Sequence, residues 1–311
     1  MTKATAVAHA NIALVKYWGK RDEKLLLPQA GSLSIALDKL RTVTTVELGG
    51  AKDVFELDGA AQDPSRVRAL LDAAGISEKA RVVSRNDFPT AAGLASSASG
   101  FAALAVAACA AAGLRRTTGE LSALARLGSG SAARSVPGGW AAWEGESARQ
   151  VQPPQHWDLR FCVALCAAGP KLTGSRDGMR SSKETSPFHA AWIEQCRRDL
   201  PEALRLLEQR DLPGLGALAE RNALRMHADA LAADPPLLYW EPATIACLKE
   251  LQLLRGLGVQ AWATIDAGPH VVAICAPADA KQVETRLRGV SGVKDVLVCA
   301  PAGGAQAVVP F

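Results

Sequence analysis

A run of small and polar residues, 86–100, constrains the fold of this chain more than any other stretch. It opens with turn-forming residues and passes through Gly93 to the paired hydroxyls of Ser96 and Ser97. Residues 98–112 follow, almost all small and apolar, which predicts a helix buried on every side. A small-residue loop that feeds such a helix presents free N–H groups and the positive end of the helix dipole to an anion. The same composition also suits close helix packing, so local physics leaves both readings open.

The loop is not a P-loop of the common kind. No G-x-x-x-x-G-K-[ST] pattern occurs, because Gly19-Lys20 is followed by Arg21 and Leu14 stands where the first glycine would be. Residues 89–98 instead resemble the phosphate-binding motif of the GHMP kinases, which implies that ATP is held by backbone amides and hydroxyls. The ATP-binding residues that this resemblance implies, with Ser97 also a candidate magnesium ligand, are Pro89, Ala92, Gly93, Leu94, Ala95, Ser96 and Ser97.

Composition and charge exclude several classes of protein. Of the 311 residues, 49% are hydrophobic and 21% are charged, which fits one large or two modest domains and argues against disorder. The net charge is +4 with basic residues spread along the chain, which disfavours nucleic-acid binding and suits a small anionic substrate. The seven cysteines include no C-x-x-C pair, and the five histidines show no metal-ligand spacing. We expect reduced cysteines, no signal peptide, no membrane span and a cytoplasmic location.

Two further stretches carry cations in unusual surroundings. Lys16 and Lys20 flank the aromatic residues Tyr17 and Trp18, which is consistent with a solvated face or with the edge of an anion pocket. Residues 128–135 form a second glycine-serine loop that ends in a single arginine. This arrangement is consistent with a flexible linker or with a positioned cation. Near the other end of the chain, an aspartate precedes a Gly-Pro turn, where turn chemistry is the ordinary explanation.

The pattern of strands and helices predicts two α+β layers with the active site between them. A Gln- and Pro-rich stretch near residues 151–156 places the boundary between domains 1–155 and 156–311. Other predictions concern single elements. Separate strands are expected at 32–37 and 42–48 and a final strand at 293–300, with a polar loop at 171–179. A helix is expected at 64–74, capped by Ser65, and two helices at 187–210, broken near Pro201, while a later helix should bury a stripe of Ile245, Leu248, Leu251 and Leu254.

Taken together, several stretches resemble the mevalonate diphosphate decarboxylase family, in the order the family has them. They are residues 11–20, 86–100, 128–135, 175–179, 222–227 and 266–269. The resemblance implies an α+β, GHMP-kinase-like, two-lobed fold. Each lobe would be a mostly antiparallel sheet with helices, and the active site would lie in the cleft between the lobes. It also implies that the protein is a homodimer.

The family phosphorylates the 3-hydroxyl of mevalonate diphosphate with ATP and then releases phosphate and carbon dioxide, which leaves isopentenyl diphosphate. The resemblance implies that Asp266 orients or deprotonates this hydroxyl, that Arg134 grips the substrate carboxylate, and that Lys16 keeps Asp266 ionised and stabilises the departing phosphate. The substrate-binding residues that it implies are Tyr17, Lys20, Ser129, Ser131, Arg134, Ser175 and Arg176.

Two departures from the family pattern bear on substrate choice. His270 stands where the family commonly has Asn, next to the turn that carries Asp266. Residues 29–31, Gln-Ala-Gly, replace more polar residues in a region expected to face the substrate. The alternatives are therefore a phosphomevalonate decarboxylase or a mevalonate 3-kinase on the same scaffold, and, in another class, a non-catalytic protein that senses a phosphorylated ligand.

Overall fold

The computed structural model of the chain describes residues 2–88, 96–167 and 173–308. These residues form an α+β fold with two main sheets, as the alternation of strands and helices predicts. The first sheet is built on two long antiparallel strands, β1 (Lys3–Val15) and β4 (Ser32–Leu48). Between them the chain makes a small separate hairpin of β2 (Lys20–Asp22) and β3 (Leu27–Pro28).

Six shorter strands complete the described part of the first sheet. They are β5 (Val54–Leu57), β6 (Ala60–Gln62), β7 (Ala80–Asn86), β8 (Trp140–Trp143), β9 (Ala148–Gln152) and, from the far end of the chain, β14 (Gln306–Val308). Their order is β14-β1-β4-β7-β5-β6, and β8 pairs with both β4 and β9. The pairings are antiparallel except that β5 runs parallel to β7. Polar and apolar residues alternate along the second half of β4, which leaves one face of the sheet for helices.

Four helices pack on the first sheet: α1 (Ser65–Ala73), α2 (Ser96–Ala111), α3 (Thr118–Gly128) and α4 (Ala132–Ser135). Helix α2 is the central one, and its alanines are buried against β1, β4 and the neighbouring helices, as its composition predicts. Helix α3 begins at a capping box, in which Thr117 and Glu120 satisfy each other's backbone N–H groups. The close packing of these small residues fixes where α2 begins, beside the cavity described below.

The second sheet has the order β11-β12-β10-β13, with every described pairing antiparallel. Its strands are β10 (Arg160–Ala164), β11 (Ala261–Thr264), β12 (Val271–Cys275) and β13 (Val296–Cys299). The helices of this half are α5 (Ser175–Thr185), α6 (His189–Gln209), α7 (Leu212–Leu231), α8 (Pro242–Gly256) and α9 (Ala280–Arg288).

One hydrophobic core joins the two sheets. Leu33 and Trp140 of the first sheet lie in the same buried cluster as Phe161, Leu206 and Trp262 of the second half. Because this shared core is continuous, the ends of β1 and β11 are held in a fixed relation to each other. The residues that follow these two strands therefore meet, and they do so at the candidate site.

Two strand predictions are corrected by the structure. Residues 32–37 and 42–48 form the single strand β4, because both halves pair with β1 across a register shift between His9 and Asn11. The strand predicted at 293–300 is β13, but it is not the last one, since β14 returns to the first sheet and pairs with β1. The domain boundary at residues 155 and 156 stays a prediction, and β14 crosses it.

One helix prediction and one loop prediction are also wrong. Residues 187–210 do not form two helices, because α6 runs without a break through Pro201. Proline removes one backbone donor, but Trp192 before it and Leu206 after it are both buried, so packing on both sides outweighs the local cost. Residues 175–179, assigned to a polar loop, form the start of α5.

Two smaller assignments change for local reasons. Ser65 is not the cap of α1 but its first residue, and the Asp63 carboxylate accepts bonds from both its N–H and its hydroxyl. Ile245 of the expected core stripe is 46% exposed, whereas Leu251 and Leu254 are buried. A spacing of three residues drifts around a helix with 3.6 residues per turn, so the first member of the stripe leaves the core.

Candidate active site

A cavity of about 420 Å³ opens between the two halves of the fold. Its walls come from the end of β1, the hairpin that follows, the starts of α2 and α5, the loop before α4, and the turn after β11. Each predicted site residue that the structure describes lines this cavity: Lys16, Tyr17, Lys20, Ser96, Ser97, Ser129, Ser131, Arg134, Ser175, Arg176 and Asp266. The predicted ATP-binding residues Pro89, Ala92, Gly93, Leu94 and Ala95 lie outside the described residues.

A short ion pair marks the deep end of the cavity. Lys16 is almost fully buried, and its Nζ lies 2.5 Å from Oδ1 of Asp266. The same Nζ donates to the carbonyl of Ala13, which also accepts a bond from the Thr264 hydroxyl. Burial lowers the pKa of Lys16, and the Asp266 carboxylate acts in the opposite direction. Asp266 keeps 28% of its side chain exposed, so its second oxygen can reach a ligand in the cavity.

Helix α7 supports this pair from behind. Asn222 accepts a bond from the backbone N–H of Lys16 at 2.8 Å and donates to Asp199. His227 contacts the backbone carbonyl of Asp266 at 3.1 Å through Nε2. Burial lowers the pKa of His227 to about 3, with further lowering by Lys16, so the ring is neutral and Nε2–H donates to the Asp266 carbonyl.

Arg134 lies at the same deep end and is almost fully buried. Its Nη1 donates to the Ser32 hydroxyl at 2.7 Å, its Nε donates to Asn11 at 3.3 Å, and its guanidinium lies over the Trp143 ring. Burial lowers its pKa to about 10, while Asp266 favours the charged form. In the described part of the chain, Nη2 of Arg134 has no hydrogen-bond partner. A buried cation with a spare donor on a cavity wall suits an anionic group of a ligand.

Three serines bring hydroxyls to the opposite wall. Ser97, in the first turn of α2, lies 3.2 Å from Ser129 between their hydroxyl oxygens, and Ser129 lies 3.3 Å from Ser131. Gly130 lets this loop approach the hairpin, because an added Cβ would meet the Tyr17 ring at 2.6 Å. Hydroxyls grouped beside the N-terminus of a 16-residue helix form a surface that suits phosphate oxygens.

Two arginines lie at the open end of the cavity. Arg176 from α5 and Arg66 from α1 both donate to the carbonyl of Gly128, and Arg66 also lies over the Phe101 ring. Partial loss of hydration at the cavity mouth lowers the pKa of Arg66, and the charge of Arg176 adds to the effect. Among residues 2–88, 96–167 and 173–308, neither arginine has a carboxylate partner. Two guanidinium groups that share one carbonyl repel each other, and a bound anion would relieve that repulsion.

The positive charge on the hairpin wall is partly neutralised by a carboxylate of the same hairpin. Lys20 is buried, and its Nζ lies 2.6 Å from the Glu23 carboxylate and 3.3 Å from the carbonyl of Arg176. Tyr17 donates its hydroxyl to the carbonyl of Leu26 at 3.1 Å, and burial raises its pKa. Both residues therefore line the cavity as predicted, but their polar atoms already have partners within the protein.

The two departures from the family pattern lie away from the cavity. The Nδ1 of His270 accepts a bond from the backbone N–H of Cys166, while the contact with the Asp266 carbonyl comes from His227. Residues 29–31 do not line the cavity, so the expectation that they face the substrate is wrong. Gly31 packs against α6, where an added Cβ would meet Leu200 at 2.4 Å. The small residue there is explained by helix packing.

Several supporting residues were not predicted from the sequence. Arg66 lies in a helix whose sequence pattern indicates packing alone, and Glu23 pairs with Lys20 from three residues further along the chain. Asn222 and His227 belong to a stretch that resembles the family, but no local signal assigns them a role. Contacts between elements distant in sequence place Arg66, Asn222 and His227 at the site, whereas Glu23 reaches it through its pair with Lys20.

The fold and the cavity define the class of this protein, which has a GHMP-like α+β fold. It superposes on a mevalonate diphosphate decarboxylase from Enterococcus faecalis with a TM-score of 0.90 at 36% identity, covering 99% of both chains. Residues 8–152 match the diphosphomevalonate decarboxylase-like N-terminal domain, and residues 161–299 match the mevalonate 5-diphosphate decarboxylase C-terminal domain. The chain belongs to the diphosphomevalonate decarboxylase family.

Other relatives agree with this assignment. Diphosphomevalonate decarboxylase of Homo sapiens is 38% identical over 88% of this chain and 76% of its own length. The mevalonate diphosphate decarboxylase of Staphylococcus aureus superposes with a TM-score of 0.92 at 33% identity, covering 99% of this chain and 98% of that one. A structure of MDDEF in complex with MVAPP, AMPPCP and magnesium, 37% identical, superposes with a TM-score of 0.91 and covers 99% of each chain.

Two further observations concern residues 2–88, 96–167 and 173–308. Among these residues, no group of three or more histidine, cysteine, aspartate or glutamate side chains is arranged to hold a metal ion. No helix within the described ranges is long and apolar enough to cross a membrane.

Proposed function

We propose that this chain catalyses the ATP-dependent decarboxylation of mevalonate 5-diphosphate. The products would be isopentenyl diphosphate, ADP, phosphate and carbon dioxide. The observation that carries the proposal is the grouping of Asp266, Lys16 and Arg134 at the deep end of one cavity. This grouping places a carboxylate, its counter-ion and a spare guanidinium donor where a hydroxy acid could bind. Membership of the family supplies the substrate class.

Asp266 acts on the substrate 3-hydroxyl in this proposal. Its Oδ1 is held by Lys16 at 2.5 Å, and its backbone carbonyl is held by His227. The remaining carboxylate oxygen can accept the hydroxyl proton as the oxygen attacks a phosphoryl group. Lys16 holds the carboxylate through the ion pair and supplies positive charge beside the phosphate that later departs.

Arg134 binds the substrate carboxylate in this proposal. Ser32 and Asn11 fix the orientation of the guanidinium through Nη1 and Nε, which leaves Nη2 for the substrate. The planar guanidinium holds the carboxylate group in line with the bonds that break. This alignment matters because loss of phosphate develops positive charge at the neighbouring carbon. Burial strengthens this hold, because water does not compete for the same donors.

The substrate phosphates lie towards the open end. Lys20 and Arg176 supply cations there, and Tyr17, Ser129, Ser131 and Ser175 supply hydroxyls. Because Glu23 already neutralises part of the Lys20 charge, Arg176 carries the larger share of the attraction for a second phosphate. This inventory favours a diphosphate over a monophosphate, since each unpaired terminal oxygen in a closed site carries a desolvation cost.

ATP lies at the start of α2 in this proposal. The hydroxyls of Ser96 and Ser97, the helix N-terminus and Arg66, which has no carboxylate partner among the described residues, fit the phosphate groups of a nucleotide. Magnesium, when bound, neutralises charge on those phosphates, and Ser97 is the candidate ligand from the described part of the chain. The MDDEF structure contains MVAPP, AMPPCP and magnesium, which supports the same set of ligands for this chain.

We further propose a homodimer located in the cytoplasm, with a domain boundary between residues 155 and 156. The boundary falls in a single turn of 3-10 helix, Pro154–His156, between β9 of the first sheet and β10 of the second. Family resemblance supports the dimer. Sedimentation velocity of the purified protein would test it, and a single monomeric species at micromolar concentration would contradict it.

A substrate panel tests the proposed function against its alternatives. The values of kcat/KM for carbon dioxide release are measured with mevalonate 5-diphosphate and mevalonate 5-phosphate under the same magnesium-ATP conditions. We expect the diphosphate to be preferred. Preference for the monophosphate would assign the chain to the phosphomevalonate branch. Formation of ADP from mevalonate without carbon dioxide would indicate a 3-kinase, and no turnover of ATP with any of these would indicate a ligand sensor.

A further inference from the structure

The hairpin that walls the cavity belongs to a longer stretch, residues 17–29, which we call the 17–29 segment. It supplies Tyr17, Lys20 and Leu26 to the cavity. Only two short strands pair within it, so its own hydrogen bonds give it little rigidity. Contacts with the second half of the fold must therefore fix its position.

Two of these contacts go to backbone carbonyls of the segment. Trp192 of α6 donates its indole N–H to the carbonyl of Trp18 at 2.7 Å, and Lys183 of α5 donates to the carbonyl of Lys20 at 2.9 Å. These bonds hold the first part of the segment. The last part is joined to the first by the pairing of β2 with β3 and by a further backbone bond, from the N–H of Gln29 to the carbonyl of Gly19 at 3.0 Å.

The Gln29 side chain turns away from the cavity to a buried histidine–aspartate pair. Its Oε1 lies 3.1 Å from Nε2 of His189, the first residue of α6, and Nδ1 of His189 lies 2.9 Å from Oδ2 of Asp229 on α7. His189 and Asp229 are 6% and 1% exposed. The packing around them is tight, since a Cβ added to Gly19 would meet Gln29 Oε1 at 3.1 Å and His189 Cε1 at 3.2 Å.

A glutamine amide suits the position next to His189 for a chemical reason. The Asp229 carboxylate accepts a hydrogen bond from Nδ1–H, so Nε2 of His189 is a donor when the ring is charged and an acceptor when it is neutral. A glutamine can present its oxygen in the first case and its NH₂ group in the second, after rotation of the amide. The link to the 17–29 segment is thus kept in both states, which neither a carboxylate nor a hydrocarbon would allow.

We infer that Gln29, His189 and Asp229 form a positioning relay that holds the 17–29 segment against α6 and α7. Through this segment the relay sets the affinity of the cavity for the phosphate groups of the substrate. None of the three residues lines the cavity, so each acts through Tyr17 and Lys20 and touches no ligand. The inference rests on the proposed function, because it assigns the relay to the substrate's side of that site and not to the ATP side.

The test uses Gln29→Met, which keeps the length of the side chain and removes its polar end. Changing His189 instead would leave Asp229 buried without its partner, and the protein would then be at risk of unfolding. Loss of one neutral hydrogen bond predicts that KM for mevalonate 5-diphosphate rises about 2- to 10-fold. We expect KM for ATP and kcat to stay within about 2-fold of the wild-type values, because the relay does not contact α2.

Gln152→Met is the matched control. Gln152 of β9 also donates a side-chain bond to α6, at Glu208, but it lies outside the cavity wall. We expect this variant to keep both KM values. An equal rise in both KM values for Gln29→Met, or no rise in either, would overturn the relay.

Amide hydrogen exchange provides a readout that does not depend on catalysis. In Gln29→Met, peptides from the 17–29 segment should exchange faster than in the wild type, while peptides from residues 54–62 should not change. If the wild type fails to decarboxylate mevalonate 5-diphosphate, the proposed function fails, and the exchange comparison still decides the relay. Unchanged exchange in the 17–29 segment would contradict it.

Discussion

The two ends of the cavity hold their charges in different ways. At the deep end, Lys16 and Arg134 are buried, and each is oriented by hydrogen bonds from its own surroundings. At the open end, Arg66 and Arg176 are exposed and converge on one backbone carbonyl, that of Gly128. The deep end is therefore organised before any ligand arrives, whereas the arrangement of charge at the open end is completed by the ligand.

This difference has an energetic basis. A buried cation is costly unless its donors are satisfied, so the deep end needs Asp266, Ser32 and Asn11 around it even in the free protein. An exposed arginine is solvated and needs no such partner. Preorganised dipoles and charges act mainly on the transition state, while screened surface charges act mainly on binding. Changes at the deep end should therefore alter kcat, and changes at the open end should alter KM.

The largest expected effect is at Asp266. Asp266→Asn removes the group that activates the substrate hydroxyl, so kcat should fall by about 10²-fold or more, with KM for ATP little changed. Steady-state kinetics measure this, and a thermal melt confirms that the variant is folded. Asp158→Asn, which alters an exposed carboxylate paired with Arg160, is the matched control and should keep full activity. Near-normal kcat in folded Asp266→Asn would reduce Asp266 to a turn former.

The next effect concerns Arg134. Arg134→Lys keeps the charge but loses the planar head that Ser32 and Asn11 orient, so kcat/KM for carbon dioxide release should fall by about 10- to 150-fold. Arg205→Lys is the control, because Arg205 makes a two-pronged pair with Glu202 on the surface. If both variants kept wild-type kcat/KM, charge alone would suffice at the deep end.

A smaller effect, on stability, tests whether the deep end is organised without ligand. The pKa of His227 is about 3 in the folded protein and 6.5 when exposed, so the unfolded chain takes up a proton first as the pH falls. The stability that this histidine contributes is fully present above pH 6.5 and is lost as the pH falls towards 3. Between about pH 8 and about pH 5, wild type should lose about 2 kcal/mol more than His227→Gln in its free energy of unfolding. Denaturant titrations at both pH values measure this, and parallel pH profiles would contradict it.

The smallest effect is at the open end. Arg176→Ala removes an exposed cation, so its contribution lies at the low end of the range for charged hydrogen bonds, about 10-fold in kcat/KM for the diphosphate. The value of kcat/KM for the monophosphate should fall less, because only the diphosphate reaches this arginine. We expect kcat to stay unchanged. Arg180→Ala, on the same helix and paired with Asp177, is the control. Equal losses for both substrates would place the second phosphate elsewhere.

Much of the fold was predictable from local pattern. The small-residue composition of α2 specifies a buried helix, and local pattern places residues 42–48 and 293–300 in strands, without help from the rest of the chain. The sequence failed where distant packing overrides a local signal. Pro201 lies inside α6 because both halves of that helix are buried, and β14 belongs to the first sheet through pairing with a strand at the other end of the chain.

The residues of the candidate site fall into the same two groups, those that local pattern predicts and those that only the fold brings to the site. Lys16, Arg134 and Asp266 could be selected because each stands in a stretch that resembles the family, and the structure brings all three to one cavity. Arg66 and Glu23 could not, since an arginine or a glutamate on an exposed surface carries no local mark of its function. The relevance of Arg66 follows from its tertiary contact with the Gly128 carbonyl. That of Glu23 follows from a local pair with Lys20, whose place in the cavity depends on the fold.

The central claim is that the deep end couples phosphoryl transfer to decarboxylation. The most direct test measures ADP and carbon dioxide together, with wild-type protein, magnesium-ATP and mevalonate 5-diphosphate. We predict that the two products form in equal amounts throughout the reaction, because Asp266 and Arg134 act on the same bound molecule. Formation of ADP without an equal amount of carbon dioxide would contradict the claim and would show a kinase that stops after phosphorylation.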